Sequence, residues 1–144
     1  MLQRRTLLAA GLGGVVTLRP AAATPSAMQA AVLSFTGGRA VRDGRVVLEI
    51  APLVDNGNVV PVRVSVQSAM SAAEHVKRIA LFNESNPLPE VAMFHLGPRS
   101  GRAEVATRMR LATSQHVLAL AEMSDGTLWR QQVEVVVTLA ACIE

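Results

Sequence analysis

Among the 144 residues the side chain best suited to covalent chemistry is Cys142, the only cysteine in the chain. A thiolate is a nucleophile toward sulfur, so its natural products are a bond from Sγ to a substrate sulfur or to another thiol. No second cysteine exists to close an internal disulfide. For the same reason a dithiol redox cycle lacks its resolving thiol. The remaining reactive types are dispersed: His75, His95 and His116 fall at no paired ligand spacing, so they are expected to be structural and no metal site is assigned. A cupredoxin is excluded because no ligand set follows Cys142. There is no serine-centred nucleophile elbow and no glycine-rich loop between a strand and a helix, so neither acyl transfer nor phosphate cradling has support. No cofactor is expected.

The position of the thiol matters as much as its type. It sits in the stretch VEVVVTLAACIE, past a strand-like run that ends near Leu139, with only Ile143 and Glu144 after it. Three residues beyond Leu139 can extend roughly 10 Å, which is an arm that presents sulfur to another protein and not a pocket that encloses it. Prenylation is excluded, because it needs a cysteine fourth from the end. Two readings follow: a covalent handle on residues 140–144, or an exported structural or interaction module whose cysteine forms an intermolecular disulfide. A leftover thiol is the plain alternative to both.

Residues 1–23 are read as an export signal that precedes this chemistry. Arg4 and Arg5 form a twin-arginine pair ahead of a short, glycine-containing apolar run, and RPAAATP offers a small-residue cleavage site after Ala23. The run is too short for a comfortable membrane span, so no membrane attachment is expected after cleavage. Arg4, Arg5 and Arg19 leave with the signal, taking three of the fourteen basic residues and leaving a balance with the eleven acidic ones. The basicity belongs to the leader. With three Phe, one Trp and no Tyr, there is neither a basic patch nor an aromatic platform for nucleic acid. An exported chain with one cysteine must hold itself together by packing.

The elements that must position the arm lie in residues 24–139. Met28, Ala31, Val32 and Phe35 fall at helical spacing, stopped by Gly37 and Gly38. Period two then takes over. Strands are expected at 45–50, at 59–68 (where Val62, Val64 and Val66 oppose Arg63, Ser65 and Gln67), at 77–83, 91–96, 102–112, 116–123 and 128–140. APLVDNGN is read as a turn centred on Asn56-Gly57, SAMSAAEHV as a connection with room for one helical turn, and ESNPLPE as a break enforced by its prolines. Met70, Met93, Met109 and Met123 are expected as core filler. Arg108 and Arg110 line one strand face, a solvated surface first and a partner surface second. The runs VLALA and VEVVV suit either the core or an inter-subunit face. About seven short strands with regular turns and one short N-terminal helix make an all-β fold, an immunoglobulin-like antiparallel sandwich.

In this order, the strings DGRVVLEIAPLVDNGNVVPVRVSV, HVKRIALFNESNPLPEVAMFHLGP, RMRLATSQHVLALAEMSDG and VEVVVTLAAC, behind a twin-arginine leader, make the chain resemble the SoxY family. These are the sulfur-carrying subunits of the periplasmic Sox thiosulfate-oxidising system. The resemblance implies an immunoglobulin-like sandwich paired with a second small β-sandwich, a SoxZ-like subunit. It also implies a periplasmic carrier that is not itself an enzyme. By that resemblance Cys142 is the attachment site, holding sulfur intermediates as a thiosulfonate and then a persulfide while Sox enzymes act on them. The family's usual ending embeds the cysteine in glycines, Gly-Gly-Cys-Gly-Gly. Here Ala140, Ala141, Ile143 and Glu144 surround it. Alanine restricts a backbone that glycine leaves free, and negative charge beside the sulfur disfavours the thiolate, so the thiol is expected to titrate above the ~8.5 of a model peptide.

Overall fold

Two strands with almost no polar alternation anchor the architecture. The computed structural model describes residues 25–139, in which helix α1 (Pro25–Thr36) precedes nine strands. These are β1 (Val41–Asp43), β2 (Val46–Glu49), β3 (Leu53–Val54), β4 (Val60–Val66), β5 (Val76–Asn83), β6 (Glu90–His95), β7 (Glu104–Met109), β8 (Gln115–Met123) and β9 (Leu128–Val137). The larger sheet runs β1-β9-β8-β5-β6, with β3 also on β9, and faces a smaller sheet, β2-β4-β7. Strands β5 and β8 lie at the centre of the larger sheet and are covered on both faces, so each reads as an apolar run. Val117, Ala119 and Ala121 point into the main core between the sheets. Leu118 and Leu120 point the other way, into a second core beneath α1. The run VLALA is therefore consumed by packing within the chain. In the smaller sheet, β4 keeps one face wet and alternates strictly: Val60, Val62, Val64 and Val66 are buried and Pro61 and Arg63 exposed.

The expected helix is present, and its fixings are specific. Met28 and Phe35 are buried, and the Phe35 ring meets Phe82 edge-on with centroids 6.0 Å apart. The helix ends where Gly37 adopts φ 62 and its N–H donates to the Leu33 carbonyl at 2.8 Å, a left-handed cap that glycine accommodates without strain. Beyond the cap, Glu122 of β8 is the charged group on which this face converges; its side chain is only 7% exposed. It accepts from Arg78 and lies 3.6 Å from Arg39 and 3.5 Å from Lys77. Arg78 completes the clamp by donating to the Phe35 carbonyl at 3.2 Å and lying 4.2 Å from the centre of the Phe35 ring.

Three details differ from the sequence reading. Residues 41–43 and 53–54, taken as connecting segments, are strands, and both pair with β9 in parallel (Val41↔Leu128 and Leu53↔Val136). The N-terminal part of the chain thus zips along β9, crosses to the smaller sheet as β2, and returns. The connection at 67–75 contains no helical turn; Ser71 and Glu74 close it instead, through Ser71 N–H to the Glu74 carbonyl at 2.8 Å and Glu74 N–H to Ser71 Oγ at 3.1 Å. Met70, Met109 and Met123 are buried as expected, whereas Met93 on the outermost strand is only half-buried.

Candidate functional site: the root of the cysteine arm

Cys142, with the rest of 140–144, lies outside the described residues. What the structure defines is the platform from which that segment departs. Strand β9 runs to Val137, and its last residues are fixed from three directions. Val136 N–H donates to the Pro52 carbonyl at 2.8 Å and Thr138 N–H to the Val54 carbonyl at 3.0 Å, continuing the β3 pairing. Thr138 Oγ1 adds a bond to the Asp55 carbonyl at 3.2 Å. On the other side, Val137 N–H donates to Ser114 Oγ at 2.9 Å.

The last described residue is held as well. The Leu139 carbonyl accepts from Gly57 N–H at 2.9 Å, and the Gly57 carbonyl in turn accepts from Leu111 N–H at 2.8 Å. The Asn56-Gly57 turn expected from sequence is thus a buckle that joins the end of β9 to the segment after β7. Asn56 shapes it by accepting from Asn58 N–H at 2.9 Å. Apolar side chains ring the exit of the chain: Leu53, Val59 and Val136 are exposed, and Leu139 is 60% exposed. Of the run VEVVV, Val135 is buried, Val133 and Val137 are half-buried and Val136 faces out.

The three histidines do not converge. His75 Nδ1 contacts the Ser71 carbonyl at 3.0 Å, and His95 is exposed at the end of β6. His116 lies two residues past Ser114, and its Nδ1 is 2.8 Å from Glu84 Oε2. The same Glu84 oxygen accepts from His116 N–H at 2.9 Å. Partial burial alone would raise the Glu84 pKa, but these two bonds outweigh it and hold the carboxyl below its ordinary value. Among the described residues, no three His, Cys, Asp or Glu side chains group in a way that could hold a metal ion. None of the described helices is long and apolar enough to cross a membrane. Sequence reasoning missed Ser114, Thr138 and Gly57 as the residues that fix the arm; of these only Gly57 carried a signal, in its turn dipeptide.

Residues 32–142 match the family model of sulfur oxidation protein SoxY, a match whose last residue is Cys142. The chain belongs to the SoxY family. Its fold agrees with that of the sulfur carrier protein SoxY from Chlorobium limicola f thiosulfatophilum, at 26% identity and a TM-score of 0.65, over 77% of this chain and 91% of that one. A superoxide reductase (neelaredoxin) variant from Ignicoccus hospitalis aligns at 21% identity and a TM-score of 0.58, covering 79% of this chain and 92% of that one. A putative superoxide reductase from Thermotoga maritima aligns at 21% and 0.55, covering 72% and 89%. With the reductases this SoxY-family chain shares the fold alone. No curated protein matches it.

Proposed function

We propose that this SoxY-family chain is a periplasmic sulfur carrier, exported by the twin-arginine route under the direction of residues 1–23, and not itself an enzyme. Cys142, on the arm formed by residues 140–144, holds sulfur-oxidation intermediates covalently and presents them to partner enzymes. The body, residues 24–139, works in a heterodimer with a SoxZ-like β-sandwich. The observation that carries the reading is the family match that runs through the sandwich and ends on the lone thiol. The bonded end of β9 supports it: a thiol three residues past Leu139 is held within roughly 10 Å of a fixed point, close enough to be aimed and far enough to enter another protein's active site.

The chemistry asks little of the chain itself. A carrier adduct forms when the Cys142 thiolate and a sulfur substrate such as thiosulfate are joined in an S–S bond, with loss of two electrons to an oxidising partner enzyme. Later steps act on the distal sulfur and leave the Cys142 Sγ attached. The body supplies a rigid base and no acid, base or metal to the bond being made.

Intact-mass measurement of protein recovered from cells oxidising thiosulfate tests this. The expected spectrum contains additions of one or more sulfur atoms, or of a sulfonated sulfur, that reductant removes and Cys142→Ser abolishes. A spectrum showing only the unmodified chain and a disulfide-linked dimer would instead establish the structural module.

A further inference from the structure

The free edges of the two sheets are not protected alike. Strand β1 is three residues long and ends in an ion pair, Asp43 with Arg130 at 3.0 Å. Strand β2 is flanked by charged Arg45 and Glu49, and β7 carries exposed Glu104 and Arg108. Natural sheets blunt their edges with short strands and charges of this kind. Strand β6, EVAMFH, has neither device: Val91, Ala92, Met93 and Phe94 follow one another, all half-exposed, with no lysine, proline or charge among them. Its one irregularity is a register shift near Glu90, at the strand's start.

The pairing shows what this edge offers. Leu96 N–H donates to the Lys77 carbonyl and Phe94 pairs with Ile79, so alternate residues turn their backbone groups toward β5. Met93 and His95 turn theirs outward, where no described strand meets them. Alongside lies a groove of about 290 Å³ between Leu88, Val91, Met109 and Arg110. Leu88 stands 74% exposed at its rim, on a loop that is braced and not slack. Asn83 Nδ2 donates to the Leu88 carbonyl at 2.9 Å, Asn86 Nδ2 to the Arg110 carbonyl at 2.6 Å, and Asn86 Oδ1 accepts from Ala112 N–H at 3.0 Å. A groove formed in advance costs its ligand little ordering. Charge then selects the ligand. Arg99, Arg102, Arg108 and Arg110 are exposed on the β6–β7 loop and on β7 and its end, and none of them forms an ion pair among the described residues; Glu104 is taken by Arg63 at 2.7 Å. Glu90 is the one carboxylate lining the groove.

We propose that β6 is a strand-addition site for a different polypeptide. An extended segment with apolar residues at alternate positions and carboxylates between them pairs with Met93 and His95, drops an apolar side chain into the groove, and sets its carboxylates against the four arginines. A second copy of this chain fits poorly, because it would bring two sets of unpaired arginines together. The inference deepens the carrier reading by naming where its partner subunit attaches, and it rests on the heterodimer part of that reading but not on the thiol.

The probe is a short fluorescent peptide alternating valine and glutamate, followed by anisotropy with the full chain under reductant. It is expected to bind on the order of tenfold tighter than its valine–lysine counterpart and to slow amide exchange at Met93 and His95. Met93→Pro removes an outward N–H while leaving the β5 pairing intact, and is expected to lose about tenfold in affinity. Arg110→Glu, an exposed change that spares the fold, should lose as much. Equal binding of both peptides, protection away from β6, or a dimer of the free chain that Met93→Pro abolishes would each overturn the proposal. Adducts on Cys142 in the Met93→Pro chain report the carrier chemistry separately, so failure of one reading is not mistaken for failure of the other.

Discussion

Two side chains have titrations that can be argued from their surroundings. Burial would raise the pKa of Glu122, but the bonds and charge of Arg78 and Arg39 outweigh it and hold the carboxyl below 4.5. A carboxyl depressed in the folded state contributes stability that is present above its unfolded pKa and lost as pH falls through the folded value. The protein should therefore weaken progressively below about pH 4.5. Glu122→Gln should cost on the order of 3 kcal/mol at neutral pH, since it strands Arg78 beside a neutral amide. Its urea midpoint should also fall less steeply with acid, the remaining slope coming from Glu84, Glu74 and Asp125, which are likewise held low. An unchanged slope in the variant would sink this account. At Cys142 the sign is reversed: Glu144 disfavours the thiolate, so alkylation followed against pH should give a midpoint above the ~8.5 of a model thiol. Glu144→Gln should move that midpoint down, and a wild-type value well below the model thiol would refute the argument.

Among the elements, the end of β9 determines how the arm leaves. Ser114 Oγ is the acceptor for Val137 N–H, and removing it leaves that donor to water on an exposed rim. Ser114→Ala should speed Val137 amide exchange by roughly fivefold, the equivalent of about 1 kcal/mol, while exchange in β8 stays as it was. Uniform acceleration would mean that the bond secures the whole sheet and not the arm's root. Little of this was legible in the sequence. The period of β4, the apolar runs of β5 and β8 and the stop at Gly37 are local signals, and each marked its element. Strands β1 and β3 are two or three residues long and exist because β9, more than 80 residues later, supplies their partner backbone; no local pattern encodes that. The same distance hid Ser114 and Thr138, whose functional bonds join segments far apart in sequence. Cys142 was legible because a sole cysteine needs no context to be noticed. Met93 was misjudged for the opposite reason: methionine type alone says core, and only the topology places β6 at an edge.

Over the whole molecule, the larger sheet is packed from both sides, by the smaller sheet through one core and by α1 through another. The two cores are unequal. The first joins strands of both sheets, while the second depends on a single helix of 12 residues seated by Met28 and Phe35. A helix that short has little stability of its own and takes it from packing. Its seat can therefore open without opening the sandwich. Phe35→Ala removes the edge-on contact with Phe82 and the ring beneath Arg78, a loss of about 3–5 kcal/mol if the site does not collapse. The expected result is sub-global. Amides from Met28 to Thr36 should lose their exchange protection, while those of β5 and β8, central to the sheet and buried from both faces, keep theirs. If β5 and β8 lose protection in step with the helix, the two cores form one cooperative unit, and α1 is part of the sandwich's foundation instead of a cover laid on it.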